Sequence, residues 1–193
     1  MKRKLSLFLA GCILCLNCVN VFAMDNNIEQ KDINYSIEFE DDLLNNATKI
    51  NEENMTYGDR ITTVTTYVLA DGTEVVETFT RGNNLATRSD FGSDTASRTR
   101  TIKDWGSVTV TASFKWEKSK YVSYVECTSV SAKHNLNEDA KIKKWDVDKT
   151  DGKINIGSAK GYVDYHFYNS LGQYVKGNVK ITCTDTGKIS DNA

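Results

Sequence analysis

Residues 107–117 read Ser-Val-Thr-Val-Thr-Ala-Ser-Phe-Lys-Trp-Glu. Val108, Val110, Ala112, Phe114 and Trp116 take every even position, and polar side chains take every odd one. A side-chain period of two puts one face of a strand on a core and the other in water, whereas a helix would scatter the same residues around its axis. Phe114 and Trp116 bring the largest apolar areas, and threonine suits the outer pleat. The pattern predicts the central strand of an antiparallel β-sandwich.

The same period recurs on both sides of it. Residues 60–81 predict a hairpin about Asp71-Gly72, with Val68 opposite Val75, Thr66 opposite Glu77 and Val64 opposite Phe79 on an inward face. Tyr67 with Val76 and Thr65 with Thr78 then face outward. Residues 82–97, built from Gly, Asn, Ser and Asp, read as a loop, and 98–105 as a further strand. Lys118-Ser119-Lys120 turns the chain into a strand over 121–133, whose apolar parity changes and then returns; a bulge near Tyr124-Val125 is expected. Residues 141–148 and 153–157 flank a predicted turn at 148–152.

The last two strands, 161–168 and 174–183, point Val163, Tyr165, Phe167, Val175, Gly177, Val179, Ile181 and Cys183 inward. Their faces match only if residues 169–173 form a five-residue connection, which sets Phe167 opposite Val175 and Val163 opposite Val179. Residues 184–193 read as a polar tail. About eight or nine strands, with no long helical pattern, place the chain in the all-β class as an antiparallel β-sandwich.

The first 56 residues differ. Lys2, Arg3 and Lys4 precede an apolar run to Cys18, and Val21-Phe22-Ala23 offers small residues where a signal peptidase reads them, so residues 1–23 are expected to be an export signal. Leu9-Ala10-Gly11-Cys12 also matches a lipoprotein box, which would lipidate Cys12 and leave residues 13–22 exposed. A retained membrane anchor is the third reading, against which Asn17 and Asn20 break a short apolar stretch. Residues 24–56 carry nine acidic side chains against Lys31 and Lys49 and read as a solvated acidic arm, with a propeptide as the sharper alternative. Within them, 33–39 predicts a short edge strand and 41–50 one or two helical turns. Residues 57–193 are left as the sandwich domain.

Net charge is −2 in 193 residues, which excludes nucleic-acid binding driven by bulk charge. The chain has no proline, so its turns must rest on Gly, Asn and Asp. Of five cysteines, Cys12, Cys15 and Cys18 fall in the leader; Cys127 and Cys183, each in a predicted strand, are expected to form one disulfide after export. The rival is a thiol nucleophile with His134 or His166 as base, although no motif surrounds either cysteine. The spacing Cys127…Trp145…Cys183 resembles the Cys-Trp-Cys pattern of immunoglobulin domains, with Ile181 where those domains carry a tyrosine. That resemblance implies an immunoglobulin-like two-sheet architecture. The chain as a whole resembles secreted proteins of Gram-positive bacteria.

Residues 146–152, Asp-Val-Asp-Lys-Thr-Asp-Gly, invite a calcium-loop reading. Thr150 holds the fifth place, however, and Gly157 stands where a bidentate Glu belongs, so they read as a plain turn. The two histidines lack zinc-ligand spacing, and neither a nucleophile elbow nor a phosphate loop is present. No metal or cofactor is expected.

The outer face of the last hairpin is the candidate ligand surface. The expected register pairs Tyr168 with Tyr174, His166 with Lys176, Asp164 with Asn178 and Tyr162 with Lys180. Aromatic faces beside cations and amides suit sugar, peptide or anionic-polymer ligands. The bland counterpart is a solvated sheet face stabilised by cross-strand tyrosines. The sequence thus points to an exported, non-enzymatic module for a cell-wall glycan or an extracellular protein. An antimicrobial or toxin-like protein acting on membranes, or a secreted hydrolase with a dispersed site, are the alternatives.

Overall fold

The computed structural model describes residues 36–39, 44, 47–83, 91–152 and 157–191. Its strands are β1 (Ser36–Phe39), β2 (Thr48–Tyr57), β3 (Arg60–Val68), β4 (Glu74–Gly82), β5 (Phe91–Ile102), β6 (Gly106–Lys118), β7 (Ser123–Leu136), β8 (Lys141–Thr150), β9 (Ser158–Tyr168), β10 (Tyr174–Thr184) and β11 (Ile189–Ser190). They form two sheets. The larger is an up-and-down meander in the order β2-β3-β4-β5-β6-β7; the smaller runs β1-β10-β9-β8, with β11 folded back on β10. Every pairing is antiparallel except that of β1 with β10. The six-stranded meander differs from the interleaved strand order of immunoglobulin domains.

β6 is the centre of the sandwich. Val108, Val110, Ala112, Phe114 and Trp116 are all buried, while β10 packs over β5 and β6, and β9 over β6 and β7. From the other side come Val163, Tyr165, Phe167, Val175, Val179, Ile181 and Cys183, buried as their parity requires. Burying each such side chain stabilises the fold by about 1.5–3 kcal/mol. The Trp116 indole occupies a slot that glycine keeps open, since a Cβ at Gly92 or Gly187 would run into the ring.

One turn serves three hairpins. In Leu69–Thr73, Asn169–Gln173 and Thr184–Lys188 the first residue's N–H bonds to the fifth carbonyl, and the glycine N–H bonds to the first carbonyl. Gly72, Gly172 and Gly187 have φ of 85°, 77° and 75°, a left-handed conformation that costs glycine little. Side chains fix all three loops: Asp71 accepts from the Thr73 N–H, Asn169 from Leu171 and Gln173, and the Thr184 hydroxyl from the Lys188 N–H. This chemistry corrects the first hairpin. A two-residue Asp-Gly turn would set Val68 against Val75; the longer turn sets Val68 against Glu74, Tyr67 against Val75, Thr65 against Glu77 and Thr63 against Phe79. Thr65 and Tyr67, rather than Val64 and Val68, therefore share the inward face with Val75 and Phe79.

Other boundaries move for local reasons. β5 begins at Phe91, inside the stretch read as a loop, because Ala96 is a core residue between polar neighbours. The bulge in β7 falls at Thr128, where Ser113 pairs with Ser129 and Phe114 with Cys127, rather than at Tyr124-Val125. β8 continues to Thr150 through the expected 148–152 turn, with Asp148 opposite Tyr162. Of the strand expected over 153–157, residues 153–156 lie outside the described residues; Gly157 has φ 103° and is not in a strand. The tail after Thr184 returns as β11, with Ile189 buried against the core. Of the one or two helical turns expected over 41–50, Leu44 is helical, residues 41–43, 45 and 46 lie outside the described residues, and 48–50 open β2, which is exposed along almost its whole length. Of the edge strand expected over 33–39, residues 36–39 form β1, and 33–35 lie outside the described residues.

The core also holds charge. Glu77 of β4 and Arg98 and Arg100 of β5 are 4%, 1% and 0% exposed. Arg98 Nη2 donates to Glu77 Oε2 at 2.7 Å, and Arg100 Nε donates to Glu77 Oε1 at 2.7 Å. The Nη1 group of each reaches across the sandwich to carbonyls: Arg98 to Lys180 (3.2 Å) and Asp191 (2.7 Å), Arg100 to Asn178 (3.1 Å). Burial pushes the Glu77 carboxyl up, but Arg100 and Arg98 together outweigh it and hold it below the usual carboxylate range.

Candidate functional site

Strands β9 and β10 build the candidate surface because one face of each is committed to the core. With Val163, Tyr165 and Phe167 inward, the alternating positions Tyr162, Asp164, His166 and Tyr168 must point out. The observed register is Tyr168 opposite Tyr174, His166 opposite Lys176, Asp164 opposite Asn178 and Tyr162 opposite Lys180. Asn169–Gln173 is the five-residue connection that this register needs. All eight side chains are half-buried except Tyr168, which is 39% exposed.

The face is internally bonded. Asn178 Nδ2 donates to Asp164 Oδ1 at 2.6 Å, and the Lys144 ammonium lies 3.9 Å from Asp164 Oδ2. The Tyr162 hydroxyl donates to Asp148 Oδ2 at 3.3 Å. Burial, with the Asp148 carboxylate next, raises the Tyr162 phenol above its ordinary value. The His166 and Tyr174 rings lie 5.2 Å apart at 53°. Burial and the ammonium groups of Lys143 and Lys176 lower the His166 imidazole below its usual value, so it is neutral at neutral pH. A shallow depression is lined by Lys144, Asp164, His166, Lys176 and Asn178, with Tyr165 and Gly177 also contributing.

The sequence pattern does not assign Lys144 or Asp148 to this face. They reach this face because β8 pairs with β9, placing Lys144 opposite His166. An irregularity between Ile142 and Lys144 resets the parity of β8. The available signal was the alternation Trp145/Val147 against Asp146/Asp148, which marks β8 as a third strand of the same sheet.

The expected Cys127–Cys183 bond is not formed in this structure; both residues are free, buried thiols. Each Sγ lies 3.4 Å from a carbonyl on its own strand, that of Ser129 or Thr184. Both sulfurs nevertheless enter the same part of the core beside β9. A Cβ on Gly161 would lie 3.3 Å from Cys127 Sγ, and Cys183 pairs with Ala159. Burial pushes the two thiols up, to about 11 and about 12, which removes the thiolate that a nucleophile requires. Neither histidine stands as a base: His166 is on the outer face of its sheet, and His134 lies seven residues along β7 from Cys127, on the order of 20 Å away. His134 instead packs edge-on against Trp145, centroids 4.9 Å apart.

Fold and site together define an all-β, two-sheet protein whose smaller sheet presents a polar, aromatic-flanked outer face. No family model matches the chain, and no similarity to a curated protein or a solved structure was found.

Proposed function

We propose that the protein is an exported, non-enzymatic β-sandwich that holds a cell-wall glycan on the outer face of its smaller sheet. The observation that supports this best is the paired stripe of Tyr168 and Tyr174 beside His166 and Lys176. Flat apolar rings stand there next to hydrogen-bonding groups and cations. The rings would stack on sugar faces, and Lys144 and Lys176 would attract acidic substituents. Residues 1–23 are the proposed export signal, with a lipid on Cys12 as the alternative end point. An extracellular protein ligand is the second occupant that the same face suits.

Binding to immobilised wall glycans tests the reading. Tyr168→Ala and Tyr174→Ala should each weaken it by about tenfold or more, because each removes an apolar platform. Lys176→Ala should reduce the part of binding that salt screens. His166 gains its charge only as pH falls through a value below its ordinary one, so retention of acidic glycans should rise with acidification and His166→Gln should abolish that rise. Retention that is unchanged in all four variants would exclude this face.

The proposed export also bears on the thiols. Under oxidising conditions Cys127 and Cys183 would join, closing a loop worth about 4 kcal/mol in the chain-entropy account. Non-reducing peptide mapping of secreted material should link the two peptides. Free alkylation of both cysteines in native, air-oxidised protein would show that they stay thiols.

A further inference from the structure

We propose that the hairpin between β6 and β7 is a membrane-surface contact that rests on an anionic bilayer. Large apolar side chains around this turn are exposed. Tyr121 is 78% exposed, Val122 is 45% exposed, and Phe91, at the start of β5 opposite Glu117, is 73% exposed. Isolated exposed apolar residues are ordinary, but three at one sheet end make a surface that water does not favour.

The turn is built to hold its shape. The Ser119 N–H bonds to the Val122 carbonyl, while the Ser119 hydroxyl oxygen accepts from the Val122 N–H at 3.0 Å and donates to the Val122 carbonyl. Tyr121 and Val122 are thereby held outward on a closed loop. Lys118 and Lys120 belong to the same turn, and Lys120 Nζ lies 5.4 Å from the centre of the Tyr121 ring. Glu117 sits one step behind on the strand.

A tyrosine, an aliphatic side chain and two ammonium groups on one rigid tip match the bilayer interface. There an amphipathic ring sits at headgroup depth and lysines meet acidic headgroups. A soluble acidic polymer would engage the lysines but would leave Tyr121, Val122 and Phe91 in water.

The contact fits the rest of the molecule. The Asn169–Gln173 turn, with Tyr168 and Tyr174 at its base, lies at the opposite end, beside the turn of Asp71 and Gly72. A protein resting on its β6–β7 tip would lift the candidate ligand face away from the bilayer.

The test uses Tyr121→Trp in the full chain, so that the reporter is the tip itself. Vesicles of phosphatidylcholine with phosphatidylglycerol should shift the added indole emission to the blue relative to the wild-type background, and brominated lipid should quench it. Phosphatidylcholine alone should do neither. In a sedimentation assay, Tyr121→Ser with Val122→Ser should lower the fraction bound to the acidic vesicles by about tenfold, and Lys118→Gln with Lys120→Gln should do so only at low salt. An unshifted, unquenched tip indole in protein that sediments with vesicles would place the attachment in another segment and overturn the proposal. So would an indole shifted by soluble acidic glycan but not by vesicles.

Discussion

Glu77→Gln should be among the most destabilising single changes in the described core, costing about 3–5 kcal/mol, because it leaves two guanidiniums in the sandwich without their shared counter-charge. Chemical denaturation followed by circular dichroism reads the loss directly. Lys49→Ala, which breaks the exposed pair with Glu52, should change stability by about 0–1 kcal/mol under the same conditions. The pH dependence has a definite sign. The Glu77 carboxyl is held below its ordinary value by Arg100 and Arg98 against the opposing effect of burial. Its contribution is therefore complete above the unfolded carboxylate pKa and is lost as pH falls through the lower, folded one. Wild type should weaken under acid conditions in which Glu77→Gln, already without that contribution, weakens less. Replacing all three residues by apolar side chains of similar volume should recover most of the stability, since desolvation then no longer opposes the pair. A Glu77→Gln protein that unfolds with the wild type would mean that water reaches this cluster.

The same cluster marks what the sequence conceals. Glu77 lies on the inward parity of its strand, and Arg98 and Arg100 are two residues apart between Ala96 and Ile102. Alternation puts all three on one face, but apolar periodicity carries no sign for a buried ion pair, so Arg98 and Arg100 read only as part of a further strand. The partners that make burial tolerable are backbone carbonyls of Asn178, Lys180 and Asp191, more than seventy residues away. Where both parities were committed, the reading was firm. In β9 and β10 one face is aliphatic and aromatic, so only one register satisfied the pattern, and the candidate stripe followed with it. The first hairpin shows the opposite case. Val64, Thr66 and Val68 and their neighbours Thr63, Thr65 and Tyr67 fit an inner face almost equally well, and the turn, not the pattern, decided. β8 was legible as a strand but not as a neighbour of β9. Lys144 and Asp148 consequently entered the site only with the sheet order.

Two adjacent residues of β9 should separate core from surface. Phe167→Ala is expected to cost about 3–5 kcal/mol, because it opens a cavity between the sheets where the ring is 1% exposed. It stacks on Tyr165 with centroids 5.0 Å apart and on Trp145 at 6.2 Å, so neighbouring rings are too large to collapse into the gap. Tyr168→Ala, one position on and 39% exposed, should cost well under half of that. The loss at Phe167 should also appear in the near-ultraviolet dichroism of Trp145, whose ring would lose its stacking partner, whereas Tyr168→Ala should leave that signal in place. If the two variants unfold together, Tyr168 carries load in the fold and cannot be removed to probe binding alone. If Tyr168→Ala keeps the stability and the Trp145 signal of the wild type while losing ligand, the ring acts on the ligand from outside the core.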